Sequence, residues 1–99
     1  MYQSDHVAIK RARICNCVLL FPWGSYPDYE LLITNHTSQT IQFEVNGDLS
    51  QLEDGQYETF RCQKWLNVKN VKNANGAPAR LKMEDSGWRC ECRLCCCLC

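Results

Sequence analysis

The sequence has no excess of charge, no long apolar run and almost no histidine, and each lack removes a class of function. Lysine plus arginine and aspartate plus glutamate stand equal at 11 each. A chain without net charge sets up no field that draws it onto nucleic acid or an acidic membrane, and no block of like charge supplies one locally. Nucleic acid is therefore not an expected partner. The longest uninterrupted apolar stretch, 18–21, lies between Asn16 and Pro22, far short of the roughly 20 residues that cross a bilayer as a helix. His6 and His36 are the only histidines, and neither has a companion motif. An enzyme needs a nucleophile, a base and an orienting group, or a metal with an open position, so a non-enzymatic role is expected. No stretch repeats apolar residues at three-and-four spacing behind a cap, which argues against helices.

What the sequence does have is a period of two. Tyr29, Leu31 and Ile33 alternate with Glu30, Leu32 and Thr34, and Ile41, Phe43 and Val45 alternate with Gln42 and Glu44, the pattern of strands with one buried face. Turn residues separate them at 35–38, 46–48, 53–55 and 73–76. The short connection at 35–38 reads as a hairpin, as does Asn46-Gly47. Further strands are expected over 57–62 and 64–68, and Ala79, Leu81 and Met83 alternate with Arg80, Lys82 and Glu84. The chain of 99 residues is then one domain, a small antiparallel β-sandwich with a cysteine-rich C-terminal tail. Its parts are an N-terminal strand region over 1–25, the sandwich over 26–88 and the tail over 89–99.

Nine cysteines are present, at Cys15, Cys17, Cys62, Cys90, Cys92, Cys95, Cys96, Cys97 and Cys99. Clustering at one end and an odd total fit poorly with a framework of disulfides that close loops across the fold. The tail admits several readings. Dense thiolates suit soft metals, copper or zinc, and Cys15 and Cys17 complete a four-sulfur zinc site with Cys90 and Cys92 if the first and last strands lie side by side. Cys96, Cys97 and Cys99 match prenylation patterns, which makes a lipidated, membrane-associated protein the alternative to a cytoplasmic one. Intermolecular bridges are a third reading. The plain reading is a strand extension, with Trp88, Cys90, Cys92 and Leu94 turned inward. The start of the chain, with His6, Lys10, Arg11 and Arg13 ahead of 14–21, has the outline of a signal peptide interrupted by Cys15, Asn16 and Cys17. Asn35-His36-Thr37 is a glycosylation sequon, relevant only in a secreted protein.

The order of the motifs resembles the von Hippel-Lindau β-domain family. The pieces are 32–37 followed by 41–45, the turn Leu52-Glu53-Asp54-Gly55, the run Thr59-Phe60-Arg61-Cys62-Gln63-Lys64-Trp65-Leu66, and the turn Asn73-Ala74-Asn75-Gly76-Ala77-Pro78. The chain is shorter than the family pattern between Trp65 and Asn73. It also lacks a counterpart of the helical segment that docks onto elongin C, so elongin binding is not expected. The resemblance implies a β-sandwich that binds a peptide carrying hydroxyproline. It places Thr59 and Gln63 where the family uses a serine and a histidine for the hydroxyl, and Phe60 and Trp65 where it uses two aromatics to wall the ring. The competing reading makes Phe60 and Trp65 core residues and leaves Thr59 and Gln63 in solvent. The function expected is peptide or protein recognition on one face of the sandwich, the alternative being a lipidated or metal-thiolate protein that acts through its tail.

Overall fold

A computed structural model describes residues 5–15 and 28–90. Its elements are all strands: β1 (His6–Cys15), β2 (Asp28–His36), β3 (Ile41–Val45), β4 (Asp48–Leu52), β5 (Tyr57–Cys62), β6 (Val68–Asn73) and β7 (Leu81–Cys90). They form a four-stranded sheet in the order β5-β2-β1-β7 and a three-stranded sheet in the order β4-β3-β6. The all-β sandwich expected from the alternation is the fold observed. Leu31 and Ile33 of β2, Val7 and Ile9 of β1, and Ile41, Phe43 and Val45 of β3 are buried, and they join Leu52, Leu66 and Val71 in one core. Each alternates with partly or fully exposed neighbours, so the two sheets present one apolar face each and bury both by stacking. Phe43 meets Phe60 across the sandwich edge to face, with ring centroids 6.1 Å apart.

Three features differ from the expectation. The connection at 35–38 is not a hairpin, because β2 and β3 belong to different sheets. It is an arch, and Asn35 builds it. The Asn35 side chain is fully buried. It donates to the carbonyls of Gln39 at 2.6 Å and Leu52 at 3.0 Å, and accepts from the Thr37 amide at 2.9 Å and hydroxyl at 2.7 Å. The second arch, at 53–56, runs beside the first, and Asp54 accepts a bond from the Ser38 amide at 3.1 Å. Alternation alone does not distinguish a hairpin from an arch, since both connect strands of period two. Residues 64–68 form no separate strand; Val68 opens β6 instead. Finally, β1 is an interior strand. It pairs antiparallel with β2 and parallel with β7, so the sandwich includes its N-terminal segment and contains one parallel pair.

The Asn46-Gly47 turn does close a hairpin, joining β3 to β4. Both residues have positive φ, 51° and 88°, as a two-residue turn between twisted strands requires. Gly87, with φ of 73°, serves a different purpose. Where β1 places Ala12 between Arg11 and Arg13, β7 places Ser86 and Gly87 between Asp85 and Trp88. This is a β-bulge, closed by the Gly87 amide donating to Asp85 Oδ1 at 2.8 Å, and it returns Trp88 to the face that Asp85 occupies.

Candidate functional site

The larger sheet is one strand wider than the sheet that covers it, and this mismatch leaves part of its inner face open. The pairing registers give the rows of that face. One runs Phe60, Leu31, Arg11, Asp85, and the next runs Cys62, Tyr29, Arg13, Trp88. Above them Leu81 stands beside Val7, and Met83 beside Ile9. Val7 and Ile9 are fully buried, yet Leu81 is 44% exposed and Met83 55%. The three-stranded sheet ends before it reaches β7.

Toward Arg11 and Arg13 the open face becomes aromatic and cationic. The Arg11 guanidinium lies 4.7 Å from the centroid of the Trp65 ring and donates to the Leu66 carbonyl at 2.6 Å. Tyr29 meets the same indole edge to face at 5.4 Å. Arg13 lies over Trp88 at 5.7 Å. A guanidinium over an indole face is held by the ring quadrupole, worth about 0.5–1 kcal/mol where solvent reaches it. The rings are thereby oriented and remain accessible, Trp65 at 46% and Trp88 at 56%. The crevice between Arg11, Tyr29, Trp65 and Asp85 has a volume of about 10 Å³, room for at most one water. The site is thus a surface and not a pocket for a small molecule.

The residues singled out in the sequence separate. Trp65 is part of the exposed cluster. Phe60 is half-buried and packs on Phe43, the core role. Thr59 precedes it on β5 and is exposed, so alternation turns it to the opposite face of the sheet. Gln63 is exposed in the bend that follows β5. Thr59 and Phe60 are therefore not walls of one pocket. Arg11, Arg13, Tyr29 and Trp88 were not foreseen as site residues. Their cross-strand contacts join positions distant in sequence, and only the register discloses them.

Comparison with known proteins finds no matching family model, curated protein or solved structure.

For the cysteines, the register is informative. Cys15 and Cys90 are backbone partners on the parallel strands β1 and β7. Cys17, Cys92, Cys96, Cys97 and Cys99 lie outside the described residues, as does Leu94. Trp88 lies on the inner face in β7, as the strand extension expects, but is more than half exposed there. Among the described residues no group of three or more histidine, cysteine or acidic side chains is gathered, and no helix is long and apolar enough to cross a membrane. His6 and His36 are partners across β1 and β2 with rings 5.0 Å apart. The sequon asparagine, Asn35, is inside the protein with both its amide nitrogen and oxygen engaged.

Proposed function

We propose that this protein is a non-enzymatic binding module that takes up a short extended peptide on the open end of its inner face, with Trp65 and Trp88 as the main contacts. The observation that carries this reading is the pair of exposed indoles, each stacked on an arginine of the same face. Tryptophan and arginine are enriched among the residues that dominate binding energies. Rings held in place before binding lose less conformational freedom when a partner arrives. A flat aromatic surface suits the rings of an extended, proline-containing segment. The resemblance to the von Hippel-Lindau β domain supports a proline-like ring against Trp65. With Thr59 turned to the other face, the proposal does not include a specific readout of the hydroxyl. Titration of a proline peptide and its hydroxyproline counterpart tests it. Both are expected to bind with similar affinity, and Trp65→Ala is expected to abolish both. Absence of binding by either peptide rejects the reading.

One observation favours a second reading, a metal-thiolate centre, in which the partners Cys15 and Cys90 each begin a Cys-x-Cys pair. Zinc is the metal that four such thiolates hold best as a closed structural site.

A further inference from the structure

We propose that the protein self-associates, two copies pairing their β7 strands antiparallel about a two-fold axis at Met83. Among the described strands β7 is the edge of the larger sheet, next to β1 alone. The Val7 amide donates to the Arg80 carbonyl at 2.8 Å, and Val7 is in register with Leu81. In a parallel ladder this fixes the alternation: the main-chain groups of Arg80, Lys82 and Glu84 turn toward β1, and those of Leu81, Met83 and Asp85 turn outward. A second strand therefore bonds to Leu81, Met83 and Asp85. The bulge at Ser86 and Gly87 interrupts the edge beyond Asp85, so the regular stretch runs over 81–85 and its midpoint is Met83.

Charge selects the same register. With the axis at Met83, Lys82 of each copy stands opposite Glu84 of the other in the closely spaced, non-hydrogen-bonded positions, where side chains interact most strongly. Moving the axis to Lys82 opposes lysine to lysine, to Glu84 glutamate to glutamate, and to Asp85 aspartate to aspartate. An axis at Leu81 opposes Lys82 to Arg80. Each of these four residues is exposed, and like charges directly opposite destabilise a strand pair. Only the Met83 axis avoids them. On the inner face it sets the two Met83 side chains next to each other, flanked by Leu81 of each copy. The apolar strip that the smaller sheet leaves open is thereby shared between two copies, as a self-complementary two-fold interface requires.

Sedimentation equilibrium of the full chain under reducing conditions reads the outcome. The wild type is expected to approach twice the chain mass of 11.5 kDa as concentration rises. Lys82→Glu and Glu84→Lys are each expected to weaken association at least about tenfold, since every dimer then holds two like-charge pairs. Combining the two substitutions restores opposite charges and is expected to restore the dimer. Met83→Pro removes an outward amide that β1 does not use, so the strand signal in circular dichroism should persist while the dimer is lost. A wild type that stays monomeric at the highest concentration, or a dimer indifferent to the single charge reversals or to Met83→Pro, overturns the proposal.

Discussion

The Asn35 side chain donates to the Leu52 carbonyl at 3.0 Å and so ties the end of β2 in one sheet to the end of β4 in the other. Its remaining bonds, to Thr37 and Gln39, hold its own arch between β2 and β3 in place. Asn35→Ala takes this partner from the Leu52 carbonyl and the Thr37 amide in a buried site, while the Thr37 hydroxyl keeps the Gln39 carbonyl at 3.0 Å. A loss of about 3 kcal/mol is expected, the upper end for orphaning a buried polar group. Urea unfolding should show a lower midpoint at unchanged slope. A shift smaller than that of an ordinary surface substitution would mean that the arch does not depend on Asn35.

Phe43 is 1% exposed and Leu49 is 78% exposed, although the two occupy neighbouring strands of one sheet. Phe43→Ala should cost about 3–5 kcal/mol, through lost burial and the cavity left against Phe60. That is a large part of the stability of so small a domain. Leu49→Ala should change stability by less than about 0.5 kcal/mol. The same denaturation series measures both, and equal effects would contradict the inward face assigned to β3.

Burial of Leu31, Ile33, Ile41 and Phe43 was legible in the sequence because alternation is a local signal and one face of each strand had to be covered. Sheet membership was not legible. The connection at 35–38 has hairpin length, and only the burial of Asn35 against Leu52 turns it into an arch. The stretch 64–68 mimics a strand because exposed Trp65 precedes buried Leu66. In the fold, the Leu66 carbonyl receives the Arg11 side chain at 2.6 Å. Of the candidate site, Trp65 was legible as an aromatic with a resemblance behind it. Arg11, Arg13 and Trp88 were not, because their roles arise from a register that joins the first strand to the last.

Removing the Arg11 side chain should expose this dependence. Arg11→Ala deletes the charged hydrogen bond to Leu66 and the stack on Trp65, together about 2–3 kcal/mol. Arg11→Lys keeps the charge but neither the planar stack nor the same bond geometry, and is expected to recover only part of the loss. Tryptophan emission should move toward that of a solvated indole in the alanine variant. Unchanged stability together with unchanged emission would show that Arg11 does not order the cluster.

The pairing of Cys15 with Cys90 leads to the last prediction. Each begins a Cys-x-Cys sequence, and the parallel register pairs the two starting positions; the proposed tetrahedral thiolate site takes its ligands from both ends of the chain. The reduced protein should retain zinc against a chromophoric chelator, and bound zinc should raise the melting temperature because the metal favours the folded state. Cys15→Ser and Cys90→Ser should each abolish that retention. A variant with serine at positions 95, 96, 97 and 99 should keep it, which separates this site from a thiolate cluster confined to the tail. Metal binding requires the thiols to be deprotonated, so retention should weaken as pH falls. Failure to retain zinc rules out the centre, and zinc that survives Cys15→Ser but disappears with the tail substitutions assigns the metal to the tail instead.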